Sequence, residues 1–308
     1  MTPEIGQKWG APYGPPEEWD LSIEDREIEG PYGTVPVRVY NPSKGSEGRP
    51  CLIWCHGGGW AFGDLDMAEA HEVSRGIAGR ANAVVVSVDY RLCPVPQGFG
   101  PAVTGESTTT TEGVPAVHFP IPHTDVMAAY RWVREVSGQL GVDKDRIAIG
   151  GASAGANLAA GAALNLRDEG EAPSQVLLSY PVVHPELPQP SEELAGAIAS
   201  TPSLFLFPPE VLTPLVTSYL GERDDVPAYA FPGTSDSLAG YPRTFIDNAE
   251  FDDLRSSGEA FADKLRAAGV HVEQVTTYGV IHGHLNNIGH GPAKASMDRM
   301  AKRLRDQV

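Results

Sequence analysis

Two hydrophobic periods alternate along this chain. Leu21 to Ile28 and Val35 to Tyr40 switch between apolar and polar residues, with Gly30-Pro31-Tyr32-Gly33 between them. Strict alternation around a Gly/Pro turn predicts an antiparallel hairpin with one solvated face. Cys51-Leu52-Ile53-Trp54-Cys55 and Ala83 to Val88 are instead continuous apolar runs. Such runs predict strands covered on both faces. Asp66 to Arg80, between them, has helical spacing, so the three form a strand–helix–strand unit with its strands parallel.

The same rhythm continues. Helices are predicted over Asp125 to Val136, Ser153 to Arg167, Ser256 to Ala268 and Pro292 to Leu304. Strands are predicted over Arg146 to Gly150, Gln175 to Tyr180, Thr244 to Asn248 and His271 to Tyr278. The expected fold class is α/β, a mostly parallel central sheet with helices on both faces and an antiparallel start. Three stretches break the pattern. Residues 1–19 are rich in Pro, Gly, Trp and Glu and read as an arm or a short helix. Residues 94–122 form a connection of a length that is uncommon in a compact domain and often functional. Residues 184–239 are punctuated by proline, with an amphipathic run from Pro209 to Leu220, and read as a helical insertion.

Length and composition narrow the class. At 308 residues with 41% hydrophobic and 20% charged positions, the chain can bury one large core and is not disordered. A net charge of −17 argues against nucleic acid and an anionic membrane as partners, and its plain meaning is a solvated acidic surface. Cys51 and Cys55 lie four apart on one strand, so their Cα atoms are roughly 13 Å apart, too far for a disulfide. With Cys93 they read as buried thiols in a reducing compartment. The first residues lack a signal-peptide pattern and no run approaches a membrane span. The expectation is a cytoplasmic protein.

Two glycine-rich loops follow predicted strands. One is His56-Gly57-Gly58-Gly59-Trp60 and the other Gly151-Ala152-Ser153-Ala154-Gly155. With 34 glycines in the chain, a Gly-x-Ser-x-Gly arises by chance roughly one time in four. A His-Gly-Gly-Gly is far rarer, on the order of one chain in a hundred. A strand–turn–helix bend lifts the Ser153 hydroxyl clear of the sheet, and the helix start aims free N–H groups beside it. The alternative for Ser153 is a plain helix cap. The side-chain-free run at 57–59 can supply further N–H donors to a developing oxyanion.

A serine hydroxyl needs a base. His282 and His284 both follow a late strand, where a parallel sheet presents its carboxyl edge. The acid that orients such a base is expected after the preceding strand, where Asp252 and Asp253 compete. A metal site built on His282, His284 and His290 lacks a carboxylate at matching spacing. The order Ser, Asp, His is that of α/β-hydrolases.

The chain resembles the hormone-sensitive-lipase-like carboxylesterases of that fold. The resemblance rests on residues 56–60, Asp89-Tyr90-Arg91-Leu92, the Ser153 elbow with Asn157-Leu158-Ala159, Ala249 to Arg255, and Ile281-His282-Gly283. It implies one α/β-hydrolase domain over 1–308, with 1–19 and 184–239 as cap elements; the extended loop at 94–122 is longer than is usual among its relatives. It implies Ser153, Asp252 and His282 as the catalytic set, choosing Asp252 over Asp253 and His282 over His284. It implies Gly58, Gly59 and Ala154 as oxyanion donors, with His56, Gly57, Trp60 and Ala152 behind or beside them. It implies a small ester substrate, no cofactor and no metal, and it leaves homodimer formation open. Action on a lactone, amide or carbamate, or ligand binding without catalysis, are the alternatives. The chain departs from its relatives at Ala152, where they carry an acid, and at Ala156, Cys93 and Val95.

Overall fold

Alternate residues of the inner strands point to opposite sides of one sheet, and both sides are buried. Cys51, Ile53 and Cys55 enter one apolar cluster, while Leu52 and Trp54 enter the other. Both clusters need helices over them, and the intervening segments supply these. The computed structural model describes residues 12–43, 47–99 and 116–306.

Eight strands form the sheet: β1 (Leu21–Ile28), β2 (Val35–Pro42), β3 (Arg49–Cys55), β4 (Val84–Val88), β5 (Val142–Ala152), β6 (Val176–Ser179), β7 (Thr244–Phe251) and β8 (Val272–Ile281). Their spatial order is β1-β2-β4-β3-β5-β6-β7-β8. β2 pairs antiparallel with both β1 and β4, and every other pairing is parallel. The described residues form seven α-helices: α1 (Ala68–Ala81), α2 (Ile121–Leu140), α3 (Ala154–Asp168), α4 (Glu192–Ser200), α5 (Pro209–Leu220), α6 (Arg255–Ala267) and α7 (Gly291–Asp306). Val73 and Ile77 of α1 and Met300 and Leu304 of α7 fill one face of the sheet. Helices α2, α3 and α6 cover the other, through residues such as Val133, Leu158 and Phe261.

Several expected boundaries move, two of them by four residues at the start of an element. α2 begins at Ile121, four residues before Asp125, with Pro122 in its first turn. Proline is tolerated there because the first N–H groups of a helix have no internal partner. β5 begins at Val142 rather than Arg146, with a register irregularity against β3 between Arg49 and Cys51. No helix among the described residues is long and apolar enough to cross a membrane.

The interruptions pack at the sheet's margins. Residues 184–239 form α4, α5 and two short 3-10 turns, and α5 reaches the loop after β3 through Leu215 and Tyr219. Residues 100–115, the centre of the long connection, lie outside the described residues. Its flanks meet α5: the Phe119 N–H donates to Tyr219 O at 2.7 Å, and His118 Nδ1 lies 2.6 Å from Ser218 O. Of the arm, residues 1–11 are likewise outside. The described part lies over α1 and the segment leading into α7. The Tyr13 N–H donates to Ile288 O, the Tyr13 ring stacks on His290, and the Trp19 ring sits under Arg80.

Candidate active site

Five strands end at the carboxyl edge of the sheet, β7 running four residues past the level of β6, and the residue after each end is a polar one. His56 follows β3, Ser153 follows β5, Tyr180 follows β6, Asp252 follows β7 and His282 follows β8. The pairings Cys55↔Gly151, Ala152↔Ser179 and Phe251↔Ile281 place these ends side by side. A parallel sheet thus collects five side chains distant in sequence at one edge, the position where ligands bind in such sheets.

Ser153 sits at φ 55° and ψ −122°, a conformation that L-residues rarely hold. The strained turn is permitted by close approach on either side. A Cβ on Gly155 would lie 2.2 Å from both Cys55 O and His56 O. The Ser153 side chain makes no capping bond to α3. Its Oγ lies 2.9 Å from His282 Nε2, and His282 Nδ1 lies 2.7 Å from Asp252 Oδ2. Asp252 is fully buried, and its other oxygen accepts from the Leu254 N–H at 3.0 Å. With the carboxylate accepting the Nδ1 proton, Nε2 is left as an acceptor for the serine hydroxyl. Burial opposes charge on His282, but the Asp252 carboxylate, supported by Glu69 and Asp253, outweighs it and raises the imidazole above its ordinary value.

The two rivals face elsewhere. His284 is buried against Ser296, its Nε2 3.0 Å from Ser296 Oγ, and burial lowers it to about 4. Asp253 accepts the Phe207 N–H at 3.0 and 2.8 Å. Burial, with Asp252 alongside, raises Asp253 to about 6.

The glycine loop curls beside Ser153. Gly58 has φ 115°, and a Cβ there would lie 2.0 Å from Phe62 O. Gly58 O accepts from the N–H groups of Ala61 and Phe62 at 3.1 and 3.0 Å. Among the described residues, no hydrogen bond occupies the N–H of Gly58, Gly59 or Ala154. His56 is buried, with Nδ1 2.7 Å from Gly57 O. Burial lowers it to about 4, so it braces the loop as a neutral ring. Tyr90 stacks on it and donates to His56 O at 2.8 Å. Trp60 stacks on Tyr219 of α5 at 4.8 Å and donates to Asn157 Oδ1 at 3.2 Å. Leu215 of α5 reaches over Gly59, since a Cβ on that glycine would lie 3.0 Å from its Cδ2.

Glu69 is the residue that the sequence reasoning passed over. It is buried in the first turn of α1, and its carboxylate accepts the Gly57 N–H at 2.6 Å, the Tyr180 hydroxyl and Asn286 Nδ2. The Tyr180 ring stands edge-on to His282 at 4.8 Å. Glu69 therefore ties the glycine loop to the side of the site that holds His282. Burial raises its pKa against the hydrogen bonds that favour the anion. A signal was available: Glu69 lies on the same helical stripe as Val73 and Ile77, so it is a carboxylate on an apolar face. Ala152, in contrast, is a core residue beside Leu177 and Phe245.

A serine polarised by an imidazole, an imidazole held by a carboxylate and unpaired N–H groups nearby can transfer acyl groups. Among the described residues no group of three or more His, Cys, Asp or Glu side chains could hold a metal ion.

Comparison with known proteins agrees with the geometry. A family model for the α/β-hydrolase fold matches residues 52–98 and 114–286. The carboxylesterase NlhH of Mycobacterium tuberculosis is 35% identical, covering 87% of this chain and 76% of its own. The esterase LipI of the same organism is 34% identical, over 89% and 78%. Among solved structures, an esterase of Pyrobaculum calidifontis superposes with a TM-score of 0.76 at 30% identity, over 99% of this chain and 90% of its own.

Proposed function

The chain belongs to the α/β-hydrolase fold family, in its hormone-sensitive-lipase-like branch of carboxylic ester hydrolases, and from that premise we propose that it cleaves small, short-acyl esters through Ser153, His282 and Asp252. One observation carries the reading: the continuous relay from Ser153 Oγ through His282 to Asp252, at 2.9 and 2.7 Å.

Ser153 Oγ attacks the acyl carbon while its proton passes to His282 Nε2. Asp252 keeps the ring in the required tautomer and stabilises the imidazolium. The carbonyl oxygen gains negative charge and is received by the N–H groups of Gly58, Gly59 and Ala154. Collapse of the adduct breaks the ester C–O bond, and His282 returns its proton to the departing alcohol. Water, deprotonated by the same nitrogen, then releases the acid and restores the serine. The preference for small acyl groups is supported by α5, whose Leu215 and Tyr219 close over Gly59 and Trp60. In this reading 184–239 is a cap over the site. Three buried free thiols fit a cytoplasmic setting.

Hydrolysis of p-nitrophenyl acetate and butyrate by the wild type and by Ser153→Ala tests the assignment. The variant is expected to lose at least about a thousandfold in kcat. Equal rates would overturn it.

A further inference from the structure

The turn after β7 does more than present Asp252. Within four residues it touches the insertion twice. Asp253 accepts the backbone N–H of Phe207, and Arg255 pairs with Glu193 of α4 at 2.6 Å. The two grips differ in strength. Arg255 is buried, but Glu193 is 62% exposed, so water screens that pair from one side. Asp253 is 9% exposed, so its bond to Phe207 is shielded from water. Yet a buried carboxylate is a poor choice for stability alone, because desolvation disfavours its charge. Its position explains it better.

Phe207 precedes α5, with Pro208 between. Its ring, carried on the backbone that Asp253 holds, stands edge-on to His282 with centroids 4.7 Å apart at 71°. His282 Nε2 must come within hydrogen-bond reach of the leaving alcohol oxygen in order to protonate it. The Phe207 ring therefore stands against the imidazole that serves the leaving alcohol.

We propose that Asp253 is a positioning residue: by holding the Phe207 backbone it sets an aromatic wall beside His282 that selects the alcohol moiety of the substrate. The inference rests on the Ser153–His282–Asp252 reading of ester hydrolysis. The carboxylate touches no reacting atom; apart from its charge, which favours the His282 cation, it acts through Phe207. One turn thus orients the base through Asp252 and shapes the leaving-group pocket through Asp253.

The test compares two ester series in wild type, Asp253→Ala, Asp253→Asn and Phe207→Ala. One series keeps acetyl and varies the alcohol from ethyl to benzyl to 1-naphthyl. The other keeps p-nitrophenol and varies the acyl chain from acetate to octanoate. Asp253→Ala is expected to shift the naphthyl-over-ethyl ratio of kcat/KM by at least about fivefold, mainly through KM, and to leave the acyl profile in place. Asp253→Asn keeps an acceptor for the Phe207 N–H and is expected to stay within about twofold of the wild-type ratio. Phe207→Ala removes the wall while keeping the carboxylate, so it should reproduce the shift even if Asp253→Ala fails to fold. An unchanged alcohol ratio in Phe207→Ala, or equal shifts in the Asn and Ala variants at Asp253, would overturn the proposal. Ser153→Ala, run alongside, separates this failure from failure of the esterase reading: full activity there sinks the reading itself.

Discussion

His282 is pulled two ways. Its burial favours the neutral ring, while Asp252, Glu69 and Asp253 favour the cation, and the cation gains the balance. A general base works only when neutral. The acid limb of kcat/KM is therefore expected above the ordinary imidazole value of about 6.5, with activity rising as pH increases through it. Asp252→Asn removes the largest of the raising influences and leaves the Nδ1 hydrogen bond without its charge. The limb should move down, and kcat should fall by about 10⁴-fold because the ring is held in the wrong tautomer. A pH profile from 5 to 9 for both proteins checks this; a limb at or above the wild-type position in the variant would refute it. Much of this site was legible in the chain. Ser153, Asp252 and His282 each follow a predicted strand by a few residues, and a parallel sheet brings the segments after its strands to one edge. The choice between Asp252 and Asp253 was not legible from spacing, since adjacent residues in a turn diverge by a backbone rotation that no pattern records. Glu69 and Phe207 were missed for a related reason. Each reaches the site from an element whose position depends on packing: α1 across the sheet face, and the insertion across its edge.

The elements were readable where their hydrophobic period was long and clean. β3 and β4 match their apolar runs, and α5 coincides with the amphipathic stretch Pro209–Leu220. α2 was read short because Pro122 looks like loop and its helical role depends on standing in the first turn. One buried pair fixes that helix to the sheet. Arg91, in the segment after β4, pairs with Asp125 of α2, and its guanidinium also donates to Tyr32 O and Thr34 O at 3.0 Å. A single side chain thereby joins the β1–β2 turn, the segment after β4 and α2. Arg91→Ala would leave the buried Asp125 carboxylate with only the backbone N–H of residue 91, at 3.0 Å, and would leave two carbonyls without the guanidinium. Breaking such a pair costs about 3–5 kcal/mol. Urea unfolding should show a loss of that size, and Arg91→Lys should recover only part of it, because an ammonium cannot reproduce the planar fork. A loss below about 1 kcal/mol for the alanine variant would mean the pair is replaceable by water.

At the scale of the whole molecule, net charge becomes the deciding quantity. The surface of 12799 Å² divided among 17 excess negative charges gives about 750 Å² each, a mean spacing of roughly 27 Å. The Debye length is about 30 Å at 0.01 M salt and about 8 Å at 0.15 M. Repulsion between the excess charges therefore acts across the surface at low salt and is screened at physiological salt. The paired charges behave differently. Arg26–Glu24 at 2.8 Å and Arg131–Glu171 at 2.9 Å lie well inside a Debye length at either salt, and each exposed pair contributes little to begin with. Screening thus relieves more repulsion than it removes attraction. The expected outcome is a melting temperature that rises by about 1.5 °C for each kcal/mol of relieved repulsion between 0.01 and 0.15 M sodium chloride, then levels off. Chloride is the suitable salt, because sulfate would add stability by exclusion from the surface and mask the effect. A flat or falling curve over that range would show that local ion pairs, and not the acidic balance read from the sequence, govern the electrostatics of the fold.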